Sequence, residues 1–385
     1  MSTKHKVPFN RPTIAGPEYE YIKAAVESGQ LSGNGPFSRL CQEWVELETR
    51  CAKALLTHSC TAALEMAALL LDLEPGDEII IPSFAFVSTA NAFVLRRAVP
   101  VFVDIRRDTL NLDETLIERA ITPRTRAIVA LHYAGVSCEM DAILDIAARH
   151  RLAVVEDAAQ GIKAFYRGRA LGSMGRFGAI SFHETKNVIA GEGGALLIND
   201  PNDTVRAEVM WEKGTNRSEF FRGQAAKYTW MDVGSSFLPG ELTAAFLLAQ
   251  LENAEQLCSR RVQLWQRYHD RLEKLERAGA LSRPVVPAHC RSNGHIYYVI
   301  LPTAAAQASM LSSLHANGID AVFHYVPLHS SPAGLRFGRV SGSLAVTDDL
   351  PHRLVRLPLW PGMSDEQVDE VVGAIEQSLT QVSRR

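Results

Sequence analysis

The 385-residue sequence lacks the glycine-rich fingerprints of two large classes of nucleotide enzyme. No Gly-x-Gly-x-x-Gly motif opens a helix, and no Gly-x-x-x-x-Gly-Lys-Ser/Thr loop is present. Those loops cradle the phosphates of dinucleotides and of nucleoside triphosphates. Their absence disfavours nicotinamide chemistry and P-loop chemistry.

Other absences narrow the class of protein further. The six cysteines form no CxxC pair and no metal-ligand spacing, so we predict free thiols and no metal site. No apolar run reaches the ~20 residues of a membrane span, and the first residues contain no signal-peptide core. The formal net charge of −3 argues against nucleic acid or an anionic membrane as the main partner. We therefore expect a cytoplasmic protein.

The sequence does contain ample core material and a regular alternation of strands and helices. Hydrophobic residues make up 46% and charged residues 22%, a globular balance. From Lys53 to Glu156 continuous apolar strands alternate with helices, and Ala179–Phe182 and Ala195–Ile198 add two more strands. This pattern predicts an α/β fold, with a mostly parallel sheet covered by helices on both faces.

The C-terminal third has a different pattern, which predicts a second domain. A long helical stretch begins near Glu241 and runs past Leu275. Strands are predicted at Ile296–Ile300 and Ala321–Tyr325, and an amphipathic helix at Asp365–Leu379. We therefore expect a large domain over residues 1–245 and a smaller C-terminal α/β domain over residues 246–385.

An acid and a lysine follow two of the predicted strands. Asp157 ends one strand, while Ser181 ends the next, and Lys186 follows just before the glycine-rich turn at residues 191–194. Ligands of such sheets bind beyond the carboxyl ends of the strands. Taken alone, Lys186 is most simply interpreted as a surface charge. Asp157 alone is interpreted as a helix cap or a magnesium ligand. Together they match pyridoxal phosphate (PLP), which needs a Schiff-base lysine and a carboxylate at its pyridine nitrogen.

Two further segments have the properties of a cofactor site. Ser59–Leu64 joins a strand end to a helix start, where amides, the helix dipole and the Thr61 hydroxyl suit a phosphate. Ordinary helix capping explains the same pattern. Phe84 and Phe86 either pack in the core or stack on a flat ring, and Phe86, beside Ser88 and Thr89, is the better candidate for stacking.

Three polar features near these segments allow two readings each. Gln160 follows Asp157 by three residues. Either a helix or turn places the two side chains on the same side, or Gln160 is a solvated loop residue. His183 lies on the same strand face as Ser181 and is either a structural histidine or a ligand contact. The run from His324 to His329 is either a sugar-reading loop or a polar interdomain loop.

The segments together resemble the DegT/DnrJ/EryC1/StrS sugar aminotransferases, whose architecture is PLP fold-type I. Within this family, four segments are similar to the dTDP-4-amino-4,6-dideoxygalactose transaminases: Lys213–Ser218, Phe221–Gln224, Lys227–Trp230 and Gly234–Leu238. The segments that carry the family resemblance are Pro8–Phe9, Leu31–Gly33, Ser59–Leu64, Pro82–Asn91, Val155–Gln160, Ser181–Asn187 and Pro327–His329.

The resemblance implies a role for each matching residue. Lys186 would hold PLP as a Schiff base and act as general base and acid, and Asp157 would pair with the pyridine nitrogen. Gln160 would contact the ring hydroxyl. The phosphate would be held by Thr61, Ser181 and the backbone at Cys60, and Phe86 would stack on the ring.

The resemblance also implies a homodimer with shared active sites. Ser236 stands where many relatives place an asparagine of the partner subunit on the phosphate. Substrate contacts would come from His324, Tyr325 and His329, with Arg217 and Lys227 as candidates for the pyrophosphate.

The implied reaction converts dTDP-4-keto-6-deoxy-D-glucose to dTDP-4-amino-4,6-dideoxy-D-galactose, with L-glutamate as amino donor. The gluco epimer, another keto position and another nucleotide stay open as alternatives. A PLP-binding regulator without turnover is an alternative from another class. The intact lysine, acid and substrate loop disfavour it. No nucleic acid or membrane partner is expected.

Overall fold

The structure, a computed structural model, describes residues 6–382 and is built around an eight-stranded sheet. Smaller sheets of three and two strands accompany it. The strands are β1 (Lys53–Thr57), β2 (Glu78–Pro82), β3 (Val99–Val103), β4 (Thr125–Leu131), β5 (Ala153–Asp157), β6 (Phe165–Tyr166), β7 (Arg169–Ala170), β8 (Phe177–Ser181), β9 (Gly194–Ile198), β10 (Cys290–Arg291), β11 (Tyr297–Ile300), β12 (Arg339–Val340) and β13 (Leu354–Leu357).

The large sheet is mostly parallel, as the strand pattern predicts. Its order is β1-β9-β8-β5-β4-β2-β3-β12. Strand β9 runs antiparallel to both β1 and β8, and every other neighbouring pair is parallel. The carboxyl ends of β5 and β8 therefore lie side by side, which brings the strand ends at Asp157 and Ser181 to one edge of the sheet.

Helices cover both faces of this sheet and form most of the C-terminal part. None of the helices within residues 6–382 is both long and apolar enough to cross a membrane. The helices are α1 (Glu18–Glu27), α2 (Pro36–Thr49), α3 (Cys60–Leu70), α4 (Val87–Val94), α5 (Met140–His150), α6 (Thr204–Trp211), α7 (Arg217–Phe221), α8 (Glu241–Glu252), α9 (Ala254–Arg277), α10 (Ala304–Ala316), α11 (Pro332–Phe337), α12 (Ala345–Asp349) and α13 (Asp365–Val382).

Two hydrophobic cores lie on opposite faces of the large sheet. Leu56 and Ile80 belong to one core, and their chain neighbours Leu55 and Ile79 belong to the other. Successive side chains of a strand point to opposite faces, and both faces here are apolar. This explains why these strands read as continuous hydrophobic runs. The confirmed fold is α/β with a mostly parallel central sheet.

A third core forms around the antiparallel pair β11 and β13. It contains residues of α9, α10 and α13, together with Val7 from the beginning of the chain. The expected long helix is two helices that meet at Asn253, and α8 packs on α1 and α2. Residue 245 thus lies inside a helix that belongs to the first core. The division at 245/246 stays a prediction, and the packing favours a break at Asn253.

The predicted strand Ala321–Tyr325 is wrong. Val322 makes a single bridge to Arg356, and the chain then leaves the sheet. In a strand the next side chains would point to opposite faces. Instead the rings of His324 and Tyr325 stack with their centroids 3.7 Å apart. The segment is a loop that carries both rings to the same side.

Candidate active site

A cavity of about 730 Å³ opens at the carboxyl ends of β5 and β8. Its lining contains residues from near both ends of the chain, from Phe9 to Arg356. Nine of the residues predicted from the sequence line it together: Cys60, Thr61, Phe86, Asp157, Gln160, Ser181, Lys186, His324 and Tyr325.

The start of α3 forms part of the cavity lining. Ser59 caps the helix, and its hydroxyl accepts a 3.1 Å hydrogen bond from the amide of Ala62. The amides of the first helical turn have no intrahelical acceptor, so those of Cys60 and Thr61 suit a phosphate. The Thr61 hydroxyl lies 2.8 Å from that of Ser88. Gly194 packs on this turn, where a Cβ would lie 2.4 Å from the Cys60 nitrogen.

Asp157 is a buried carboxylate that faces the cavity from the end of β5. Its Oδ2 accepts a 2.7 Å hydrogen bond from the hydroxyl of Thr89, and its Oδ1 accepts a 3.2 Å bond from the amide of Ala159. The two donors hold the carboxylate in one orientation. Asp157 therefore presents a fixed hydrogen-bond acceptor at the cavity wall.

Lys186 follows β8 and extends into the same cavity. Burial lowers the pKa of its ammonium, although the nearby Cys60 and Asp157 act in the opposite direction. Arg356 and Arg261 lower the pKa further through charge repulsion. A lowered pKa increases the neutral fraction of the amine, which is the form that attacks carbonyls and accepts protons.

A hydrogen-bonded aromatic cluster forms another part of the cavity wall. Gln160 donates a 2.9 Å hydrogen bond to the hydroxyl of Tyr325 and accepts one of 2.6 Å from the amide of Ala134. The Tyr133 hydroxyl lies 2.7 Å from Nδ1 of His324. Burial, and then the charges of Arg356 and Lys186, lower the pKa of His324 well below its ordinary value. The wall is therefore fixed in place and uncharged.

Residues 12–376 match the profile of the DegT/DnrJ/EryC1/StrS aminotransferase family. The chain belongs to this family. The spore coat polysaccharide biosynthesis protein SpsC of Bacillus subtilis (strain 168) is 33% identical over 382 residues, which cover 96% of each chain. These matches identify a PLP-dependent sugar aminotransferase of fold-type I.

Two solved structures superpose on nearly the whole chain. TlmJ from Streptoalloteichus hindustanus has a TM-score of 0.89 and 28% identity, covering 98% of this chain and 100% of that chain. DesV of S. venezuelae, solved in complex with a ketimine intermediate, has a TM-score of 0.84 and 30% identity, covering 94% of each chain.

The donor set of this aminotransferase fits PLP. The cavity offers an amine at Lys186, a hydrogen-bonded carboxylate at Asp157 and a helix start with a hydroxyl at Thr61. Phe86 presents an exposed ring, 56% accessible, beside the Tyr325 ring at 6.3 Å between centroids. Ser181 is buried at the cavity wall, and its hydroxyl accepts a 3.3 Å bond from the His183 amide.

Four residues predicted to serve the site do not line this cavity. The His329 ring bonds instead to Ser83 at 2.7 Å and to Asp348 at 3.1 Å. The other three, Arg217, Lys227 and Ser236, are exposed on a segment outside the cavity. Arg217 lies 3.7 Å from Glu212 and over the ring of Phe221. The roles of all four residues stay predictions, and that of Ser236 requires a second subunit.

Sequence reasoning missed three residues that the fold brings to the cavity. Thr89 lies inside a segment singled out for its phenylalanines, but its bond to Asp157 joins residues 68 positions apart. His295 and Arg356 come from the C-terminal part, where no motif marked them. The signal that could have found the latter two is a histidine just before the apolar strand β11 and an arginine inside the apolar strand β13.

Proposed function

We propose that this aminotransferase converts dTDP-4-keto-6-deoxy-D-glucose to dTDP-4-amino-4,6-dideoxy-D-galactose, with L-glutamate as amino donor, in the cytoplasm. The observation that carries the proposal is Lys186 and Asp157 in one cavity that also holds an anion-binding helix start. The similarity of residues 213–238 to the 4-amino-4,6-dideoxygalactose branch supports the choice of sugar.

Several residues of the cavity have separate roles in the proposed reaction. PLP, when bound, withdraws electrons from the carbon that loses or gains a proton. Lys186 removes the proton from the donor carbon and returns one to the sugar carbon, because its lowered pKa leaves neutral amine available. Asp157, held in place by the hydrogen bond from Thr89, would stabilise a positive charge on the bound cofactor. The hydrogen bond from Gln160 to the Tyr325 hydroxyl holds these two side chains in place at the cavity wall.

The mouth of the cavity supports a 6-deoxy sugar. Phe323 and Val326 line it and are 61% and 63% exposed, beside the exposed ring of Phe86. Such a surface gains contact with a methyl group and leaves a hydroxyl poorly bonded. We expect discrimination against the 6-hydroxy sugar of about 1–3 kcal/mol.

We also propose a homodimer with shared active sites. The segment from Arg217 to Val233 exposes several large apolar side chains, which is typical of a surface covered by another chain. Ser236 and Lys227 are exposed next to these side chains. A second copy seated there would bring them toward a cavity.

The decisive experiment offers the enzyme glutamate with 3-keto and 4-keto dTDP-6-deoxyhexoses in parallel, followed by NMR of the product. We expect amination of the 4-keto sugar and an axial amine at C4. Amination of the 3-keto sugar alone would contradict the substrate assignment. An equatorial amine would identify the gluco epimer. An absence of turnover with every keto-sugar, despite bound PLP, would favour a regulator.

A further inference from the structure

His295 is a buried histidine in the cavity wall that has no role in the reaction as described so far. It lies just before β11 and is 4% exposed. Its backbone is held on both sides, because its amide donates a 3.1 Å bond to Oδ1 of Asn293 and its carbonyl accepts one of 2.7 Å from Arg261. The imidazole ring therefore projects from a fixed point of the backbone.

Asn187 determines which nitrogen of the His295 ring carries the proton. Nδ1 of the ring lies 2.8 Å from Oδ1 of Asn187, the residue after Lys186. The amide nitrogen of Asn187 donates a 2.8 Å bond to the carbonyl of Asn293, so the amide oxygen faces the ring. An amide oxygen only accepts hydrogen bonds, and Nδ1 is therefore the protonated nitrogen. Nε2 keeps a free lone pair.

This Nε2 is available to a ligand. It has no hydrogen-bond partner within residues 6–382 and, unlike Nη1 of Arg261, it is not fully enclosed. His295 lines both the cavity and a small cleft that adjoins it. Arg356 lines the same two spaces, but its guanidinium carbon packs 4.8 Å from the centroid of the Phe9 ring. A ring nitrogen without a protein partner at a cavity wall points to a partner in the ligand.

The His295 ring is uncharged in these surroundings. Burial lowers its pKa well below the ordinary value, and the charges of Lys186, Arg261 and Arg356 lower it further. Nε2 therefore accepts a hydrogen bond and has no proton to donate. Ligand groups that only accept, such as carboxylates and phosphates, are repelled by this lone pair. The group that it binds is a neutral donor, for which a hydroxyl is the simplest choice.

The position of His295 limits which hydroxyl it can reach. Its partner Asn187 directly follows Lys186, and Lys186 is the cation with the largest effect on its pKa. The carbon that exchanges a proton with Lys186 lies beside that amine in the reaction. In a 4-keto-6-deoxy sugar, one neighbour of this carbon bears the 3-hydroxyl and the other bears the methyl group. The α-carbon of glutamate bears a carboxylate and an aliphatic chain, neither of which donates.

We propose that Nε2 of His295 accepts a hydrogen bond from the sugar hydroxyl on the carbon next to the ketone, the 3-hydroxyl of a 4-keto sugar. This role rests on the proposed function, because it takes a keto-sugar as the substrate. His295 is then a residue that selects the substrate, and Asn187 is the residue that keeps its ring in the accepting tautomer.

The test combines a change in the protein with a change in the sugar. Rapid mixing of the aminated enzyme with dTDP-4-keto-6-deoxyglucose and with its 3-deoxy counterpart gives kcat/KM for wild type, His295→Phe and His295→Gln. We expect wild type to prefer the 3-hydroxy sugar on the order of tenfold, and His295→Phe to lose this preference. His295→Gln keeps a donor and an acceptor and should retain part of it. His289→Phe is the matched control, because His289 lies 3.0 Å from Glu139 outside the cavity.

Two further measurements separate a ligand contact from a structural role. The glutamate half-reaction should change by no more than about threefold in His295→Phe. Calorimetry with dTDP-6-deoxygalactose, which has no ketone and cannot react, should show the same preference over its 3-deoxy counterpart in wild type and its loss in His295→Phe. Equal losses for both sugars would overturn the proposal, because His295 would then only position Asn187. So would equal losses in both half-reactions, a preference that survives in His295→Phe, or no preference in wild type.

Failure of the proposed substrate gives a different result. If wild type aminates a ketone at another carbon, the substrate assignment fails, and the comparison is made with the analogue that lacks the hydroxyl next to that ketone. A loss of that preference in His295→Phe would still support this role of His295. The melting temperature and the absorbance of bound PLP check that each variant is folded.

Discussion

The hydroxyl of Thr89, at the start of α4, donates a 2.7 Å hydrogen bond to the carboxylate of Asp157, at the end of β5. Both side chains are buried, and the bond joins a helix to the neighbouring edge of the sheet. Thr89 therefore positions the acid that faces the cofactor ring in the proposed reaction. Removal of the Thr89 hydroxyl should therefore change the reactivity of the bound cofactor while the protein stays folded.

We expect Thr89→Val to reduce turnover by about tenfold. A hydrogen bond to a charged acceptor contributes on the order of 1.5–3 kcal/mol, and the remaining bond from the Ala159 amide offsets part of that loss. Steady-state kinetics and the absorbance maximum of bound PLP measure the effect. Thr89→Ser keeps the hydroxyl and is the control.

In Asp157→Asn, turnover should fall by orders of magnitude while PLP still binds. A near-wild-type rate in Asp157→Asn would show that the acid is structural.

Lys186→Ala should abolish transamination and leave the fold intact. The substitution removes the amine that holds the cofactor and the group that carries the proton. Borohydride treatment of the native enzyme should attach the cofactor to the peptide that contains Lys186, as measured by mass spectrometry. Attachment to another lysine would disprove the assignment, and unchanged circular dichroism of the variant is the control.

The exposed segment from Arg217 to Val233 predicts the assembly. Light scattering should give twice the 42.4 kDa of one chain. Phe221→Glu should weaken the dimer and lower the activity together, because Phe221 is 69% exposed in the isolated chain. Leu47→Glu, at a site 81% exposed on α2, is a control outside the segment. A fully active monomer at assay concentration would rule out shared sites.

Glu78 predicts a pH dependence of stability. Burial opposes its charge, but hydrogen bonds from Arg339, Arg124 and Thr122 outweigh burial and lower its pKa to about 2. Since the folded pKa lies below the ordinary 4.5, the stabilisation is present above pH 4.5 and is lost as the pH falls toward 2. Arg124 is largely exposed, so solvent screens part of the gain.

We expect Glu78→Gln to lower the free energy of unfolding by about 2 kcal/mol at pH 7. The difference from wild type should shrink between pH 4.5 and 2, because the wild-type carboxylate then becomes protonated. Denaturant unfolding at several pH values measures it. A difference that does not vary with pH in this window would contradict the role of the charge.

Local patterns predicted the large sheet well because its strands are buried on both faces. Asp157 and Ser181 could be placed at one edge from strand ends alone, since parallel strands share their carboxyl edge. The strand-to-helix junction at residues 59–64 was visible because Ser59 caps the helix one residue before it begins. These features depend on contacts between close or regularly spaced residues.

The rest of the site depends on contacts that no local pattern encodes. Arg356 reaches the cavity because β13 pairs with β11 and because Val322 covers its other side. The segment that begins at Ala321 is apolar enough to resemble a strand. Long-range hydrogen bonds of His324 with Tyr133 and of Tyr325 with Gln160 instead hold it as a loop at the cavity wall. Propensity gives way to tertiary packing at such positions.

Phe9 brings a residue from near the beginning of the chain into the wall of the candidate active site. Its ring lies under Arg356, its carbonyl accepts a bond of 3.4 Å from the amide of Leu359, and two residues earlier Val7 pairs with Ile319. A truncation through Phe9 would remove no strand of the large sheet. It would, however, remove the aromatic ring on which the Arg356 guanidinium packs. Protease trimming or a bulky fusion near this end should therefore lower turnover while the large sheet stays folded.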